Sequence, residues 1–219
     1  NTIFAKNRFM AKTQKAAVIS GDIIGSSKLN VAARRKLQSL LDNFSKLAAA
    51  SWPDFGMEQY RGDSLQAILT NNRAAGLRAV LLLQSLMVKN HYGIRTAIGV
   101  GDISYQGKNI VTSDGTAFQV SGPYLDHLRK TGEVIFINLD NPLYADEWPV
   151  HSTALAFIIK RWTAQQAEAM YFQLQGYTQK EIAKQLKITQ PSVHQRLQSA
   201  GWDVVQKILQ RFEAVVPSL

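Results

Sequence analysis

The chain has 219 residues, 46% of them hydrophobic, a formal charge of +9 and no cysteine. The missing thiols exclude disulfides, thiolate metal sites and a cysteine nucleophile, and they are compatible with a reducing, cytoplasmic setting. No window approaches the roughly 20 consecutive apolar residues of a membrane span. The best run, Val80 to Val88, is interrupted by Gln84 and Ser85, so no membrane association is expected. A chain of this size can bury one large core or a medium and a small one, which makes two domains the expectation. Positive charge is densest at the end: eight basic against four acidic residues from position 160 on, seventeen against twelve before it. Such an excess favours a polyanionic partner through counterion release.

Asn1 to Phe9 has basic residues with no apolar segment behind them, so residues 1–15 read as a leader or flexible N-terminus and not as a signal peptide. Ala16 to Ser20 reads as a buried strand that runs into a loop at Gly21 to Ser27. Val31 to Ala50 carries Leu37, Leu40, Leu41, Phe44, Leu47 and Ala48 at helical spacing. Met57 to Tyr60 and Ser64 to Leu69 are strand-like and flank Arg61-Gly62-Asp63 as a hairpin tip. Asn72 is placed to cap a helix running to about Asn90, with Gly93 as its stop. Ile94 to Val100 reads as a strand, Ser113-Asp114 as the cap of a helix through Arg129, and Val134 to Ile137 as the last strand. The order β-α-β-β-α-β, then a further helix and strand, predicts an α+β domain over 16–150, a ferredoxin-like or palm-type α/β sandwich. Asn138 to Ser152, rich in Asp, Asn and Pro, is the expected boundary to a C-terminal all-α domain over 151–219.

That C-terminal part reads as a helix-turn-helix. Thr163 to Gln175 forms one helical pattern that Gly176 stops, and Thr178-Gln179-Lys180-Glu181 is a capping box opening the next. Ile182, Ala183 and Leu186 face inward, with Ala183 small enough for a close helix crossing. Thr189 caps a third helix with Pro191 in its first turn and Val193 and Leu197 buried. Gln190, Ser192, His194, Gln195, Arg196 and Gln198 then point outward as candidate contacts to base edges. Lys180 and Lys184 are candidate phosphate contacts, with Lys187 nearby. The string YTQKEIAKQLKITQPSVHQRL resembles the helix-turn-helix of bacterial sigma-factor region 4 and of response-regulator output domains, except that Lys187 stands where that pattern has a left-handed glycine. The resemblance implies double-stranded DNA as partner and, because palindromic operators need two-fold proteins, a homodimer. The same three helices also suit a domain used only for protein contacts. Trp202 to Val216 adds an amphipathic tail that packs on this core or pairs with a second copy.

In the larger domain Asp22 follows a buried strand and Asp63 sits at the hairpin tip. Paired carboxylates on adjacent strand ends are how palm-type domains hold Mg²⁺ beside a triphosphate. Either aspartate equally serves as a cap or turn former. The strings GDIIGS, YRGDS and RTAIGVGDI resemble the metal-binding segments of class III nucleotide cyclases over residues 16–130. That likeness implies Asp22 and Asp63 as metal ligands and the amides of Ile23, Ile24, Gly25 and Ser26 beside phosphates. Where the cyclase pattern has an Asn and a charge-stabilising Arg, this chain has Gln119 and Pro123, and Arg129, six residues on, is the candidate cation to reach the site. His91, His127, His151 and His194 show no metal-ligand spacing. The whole arrangement resembles the bacterial SatD-like family, which brings no assigned reaction. Two functions therefore compete. One is a DNA-binding transcriptional regulator whose α/β domain dimerises or senses a small phosphorylated ligand. The other is a metal-dependent enzyme that binds or converts a nucleotide and carries a regulatory helix-turn-helix.

Overall fold

The computed structural model describes residues 14–60, 62–104, 110 and 113–219. Residues 1–13 of the expected leader and Arg61 of the hairpin tip lie outside the described residues. In chain order the elements are β1 (Gln14–Ile24), α1 (Val31–Ser51), β2 (Gly56–Tyr60), β3 (Ser64–Leu69), α2 (Gly76–Lys89), β4 (Gly93–Ile103), α3 (Thr116–Thr131) and β5 (Ile135–Leu139). Helices α4 (Glu147–Ile159), α5 (Ala164–Leu174), α6 (Gln179–Leu186), α7 (Gln190–Ser199) and α8 (Trp202–Val215) follow. The five strands form one sheet in the order β2-β3-β1-β4-β5, antiparallel except for the β4–β5 pair. This is a palm-type α+β sandwich with an all-helical C-terminal part.

Strand β1 is the axis of the sheet and is buried from Ala16 to Ile23. Successive side chains of a strand point to opposite faces. Ala17, Ile19 and Ile23 accordingly join the core under α1 and α2, while Ala16 and Val18 pack with Ala117 and Phe118 of α3. A strand covered on both faces and paired on both sides tolerates polar residues only where they find partners. That is why β1 runs four residues past the expected end at Ser20 and takes Gly21, Asp22 and Ile23 into the sheet. The expected loop at Gly21 begins only at Gly25, whose left-handed backbone (φ 70°) turns the chain out of the strand.

Two expected caps take different roles. Asn72 makes no side-chain cap to a helix; it bonds Asp54, and a short turn over 73–75 leads into α2. Helix α3 starts at Thr116, after Gly115, and Asp114 accepts from the Gly115 N–H at 2.7 Å. A Cβ on Gly115 would lie 2.2 Å from the Asp102 carbonyl oxygen, so only glycine lets the helix start this close to the end of β4.

Helix α4 starts inside the Pro-rich stretch expected to be a boundary. Pro149 sits in its first turn, where a missing N–H costs little. The helix packs on β5, where the Ile137 N–H donates to Ser152 Oγ at 2.9 Å. One continuous apolar core runs from the sheet through α2 into α5, α7 and α8. Helix α2 is buried at every position from Ala79 to Met87 because it lies between the sheet on one side and α5 and α8 on the other. Arg78 ties the two parts further: Nε and Nη2 donate to Glu213 at 2.9 and 2.7 Å, and Nη1 donates to the Leu174 carbonyl at 3.1 Å.

Candidate functional site

The alternation along β1 that places Ala16 and Val18 under α3 places Ser20 and Asp22 there too. Ser20 Oγ donates to Ser121 Oγ of α3 at 3.0 Å. Asp22 lies in register between Ser64 of β3 and Arg95 of β4, and is 5% exposed. A carboxylate buried that deeply needs charged or hydrogen-bonding partners. Arg95 Nη1 reaches Oδ2 at 3.1 Å; Arg129, in the last turn of α3, brings Nη2 to Oδ1 at 2.9 Å and Nε to Oδ2 at 3.3 Å. A cation in a last turn also complements the helix dipole. The hydrogen bonds to Asp22 raise the basicity of Arg129 above that of an ordinary guanidinium; burial opposes this, and the charges of Asp22, Asp126 and Asp63 add to it.

Asp63, at the turn between β2 and β3, is locked to the segment after β1 by two contacts. Its carbonyl accepts from the Ile23 N–H at 3.0 Å, and its Oδ2 accepts from Ser26 Oγ at 2.8 Å. Of the residues expected to offer amides to phosphate, Ile23 is therefore committed to Asp63, Ile24 ends β1 opposite Gly93, and Gly25 and Ser26 form the turn. Beside this turn lies a cavity of about 270 Å³, lined by Ser26, Arg34, Leu37, Gln59, Asp63 and Leu65 among others.

The structure thus brings Asp22, Asp63, Arg95 and Arg129 to one end of the sheet. Gln119 and Pro123 contribute no cation: Gln119 is exposed and bonds Asp114 at 3.4 Å, and Pro123 is exposed. Arg129, six residues beyond Pro123, instead pairs with Asp22 across 107 positions of sequence. The exposed Asp126 also pairs with Arg129 at 3.0 Å, and Arg34 lies beside Asp63 on the cavity wall. Hard carboxylate oxygens are the donors that suit a divalent cation such as Mg²⁺. The guanidinium of Arg129, spread over both oxygens of Asp22 and within the field of Asp63, already supplies a positive charge there. Asp22 and Asp63 are the residues that would hold such an ion. Among the described residues no group of three His, Cys, Asp or Glu side chains suits a metal.

In the C-terminal part Thr163 and Thr178 both form complete capping boxes, with Gln166 and Glu181, and Thr189 caps α7. Hydrogen bonds from the Thr178 backbone N–H and hydroxyl lower the pKa of the Glu181 carboxyl. Lys187, between α6 and α7, adopts the left-handed conformation (φ 54°, ψ 42°) expected of the glycine it replaces, at a cost of about 1 kcal/mol. Gln190, His194, Gln195 and Gln198 are exposed on α7, as are Lys180 and Lys184 on α6. Two of the outward candidates are partly occupied: Ser192 Oγ bonds the Thr189 hydroxyl at 2.8 Å, and Arg196 lies 3.9 Å from Glu168 of α5. Among the described residues, no helix is long and apolar enough to cross a membrane.

Residues 163–216 match the model of a family described as the putative ATPase subunit of terminase (gpP-like). No curated protein matches the chain. Among solved structures, the chain is similar to a bacterial light-regulated adenylyl cyclase (15% identity, 58% of this chain and 43% of that one, TM-score 0.42). It is also similar to the guanylate cyclase domain of RhGC from Catenaria anguillulae in complex with GTP (16% identity, 57% and 77% coverage, TM-score 0.42). A third is the active GGEEF domain of a diguanylate cyclase from Vibrio cholerae (15% identity, 58% and 84% coverage, TM-score 0.40). The chain spans less than half of the light-regulated cyclase, and the activities in these names belong to those proteins.

Proposed function

We propose that the α/β part binds a nucleoside triphosphate in a metal-dependent way and converts it, and that the C-terminal helices are a regulatory attachment. The observation that carries this reading is Arg129 on Asp22, because it puts at this end of the sheet a cation that Gln119 and Pro123 do not supply. Asp22 and Asp63 would hold a Mg²⁺ ion, whose chemistry there would be to neutralise charge at phosphate oxygens. Arg129 is 45% exposed at its side chain, so it can leave Asp22 for a phosphate and stabilise charge developing there. Arg95, more buried, keeps Asp22 oriented from β4. The turn at Gly25 and Ser26 fixes the distance between Asp63 and the end of β1 and offers polar groups to the ligand. The residues assigned to the nucleotide lie outside the stretch that matches the terminase family, so that match adds no part of this site.

The test is turnover of the four common nucleoside triphosphates with Mg²⁺ or Mn²⁺, alongside calorimetry. The expected result is metal-dependent turnover of at least one, abolished in Asp22→Ala and lowered about a hundredfold in Arg129→Ala. Heat of binding without turnover reduces the protein to a nucleotide sensor. Neither heat nor turnover with any of the four overturns the proposal.

A second reading concerns the helices themselves: α6 and α7 as a helix-turn-helix that reads double-stranded DNA. It rests on one exposed set of polar and basic side chains, Gln190, His194, Gln195 and Gln198 with Lys180 and Lys184, in the part of the chain with the densest positive charge. Gln190→Ala combined with Gln195→Ala should weaken a mobility shift on DNA from upstream of the protein's own gene, and log affinity should fall steeply with log salt. Retention by the double variant equal to wild type removes α7 as the reading face.

A further inference from the structure

Helix α4 is apolar nearly all round, although β5 and α8 cover only part of it. Trp148, Ser152, Leu155, Ala156 and Ile159 face the core. On the outer side Val150 is 68% and Phe157 58% exposed, and these two, with Thr153, Ala154, Ile158 and Val204 of α8, line one shallow apolar surface. A helix apolar on all faces is normally covered on all faces, and a contiguous apolar patch on a folded surface marks a contact.

Position in the helix says what covers it. At 100° per residue, Asp146, Val150, Thr153, Ala154, Phe157 and Arg161 fall within one face about 100° wide. Val150, Ala154 and Phe157 have the i, i+4, i+7 spacing of a helix-pairing seam, and the small Thr153 and Ala154 at its middle permit close approach. The two ends of the face carry opposite charge: exposed Asp146 at the N-terminus, exposed Arg161 just past the C-terminus. Arg161 is held on this face, with Nη1 donating to the Phe157 carbonyl at 2.8 Å and its guanidinium 3.4 Å above the Phe157 ring. A two-fold axis perpendicular to a helix makes the helix meet its copy antiparallel. With the axis between Thr153 and Ala154, Val150 meets the partner's Phe157, Thr153 meets the partner's Ala154, and Asp146 meets the partner's Arg161, each contact occurring twice. The seam is its own complement in size, polarity and charge.

We infer that this face of α4 binds α4 of a second copy of the chain, antiparallel, in a symmetric homodimer. The inference rests on neither reading of function above, and its test is independent of nucleotide and of DNA. Sedimentation of the full chain across concentrations is expected to show a monomer–dimer equilibrium that Phe157→Asp weakens at least about tenfold, with unchanged circular dichroism because the side chain is exposed. Asp146→Arg or Arg161→Asp alone should weaken the dimer, and the two together should restore it. Because the chain has no cysteine, Thr153→Cys should give a disulfide-linked dimer on oxidation, whereas Lys46→Cys, on the exposed side of α1, should not. A wild type that stays monomeric, or a dimer indifferent to Phe157→Asp, overturns the inference; a dimer lost in Phe157→Asp whose charge reversals fail to compensate overturns the antiparallel register.

Discussion

The sheet end around Asp22 and the helices from α5 to α8 solve the same problem, pairing polar groups, in opposite ways. In the helices the partners are neighbours in sequence. Thr163 with Gln166, Thr178 with Glu181 and Thr189 with Ser192 are each three residues apart, and the ends close on left-handed Lys187 and Gly201. At the sheet end, Asp22 depends on Arg95 and Arg129, 73 and 107 positions away. Local pairing specifies shape and leaves the surface free, whereas long-range ion pairing of a buried carboxylate adds little net stability over apolar packing and is costly to break. Such a cluster is better suited to a changing charge environment than to holding a fold together.

The two regions meet on α2, and the largest effect should come from breaking that meeting. Met170 of α5 is fully buried in the shared core. Met170→Ala is expected to cost about 2–5 kcal/mol and to lower the melting of sheet and helices together as one transition. Two separate transitions, with only the helical one shifted, would mean that the regions unfold independently.

A smaller effect probes the local logic of the helices. Lys187→Gly relieves a left-handed side-chain residue and should stabilise the chain by about 0.5–1 kcal/mol in denaturant unfolding, offset in part by the greater freedom of glycine when unfolded. No gain would indicate that the Lys187 side chain makes a compensating contact.

A third effect is a matter of pH. Burial raises the Asp54 carboxyl, but hydrogen bonds from Asn72, Thr70 and Asn71 outweigh it and bring its pKa from 3.8 down to about 2. A depressed pKa in the folded state adds stability that is fully present above about pH 4 and lost as pH falls toward 2. Melting temperatures of wild type and Asp54→Ala should therefore differ above pH 4 and converge near pH 2. A constant difference across that range would show that the charge of Asp54 contributes nothing.

The same division decides how much could be read from sequence. The C-terminal helices were legible within a residue or two, since caps and apolar spacing are local signals. The positions of α1, β2 and β3 were legible for the same reason. The end of β1 was not, because Ser20, Gly21 and Asp22 look like a loop until both neighbouring strands and α3 supply partners. Helix α4 was hidden by Pro149, which breaks a helix interior but not a first turn. Asp22 and Asp63 stood out in their motifs as candidates, and they lie at one end of the sheet; Arg95 was not singled out, and Arg129 stayed an open possibility, because nothing local ties either arginine to a carboxylate so far away.

The burial of α2 on both sides also sets an order of events during synthesis. The strands and helices that cover its inner face are complete by Leu139, but α5 and α8, which cover the outer face, emerge later. A nascent or prematurely ended chain would thus present a long greasy helix to its surroundings, the kind of surface that recruits chaperones or aggregates. Helices α5 and α8 are what shield that helix from solvent in the folded chain.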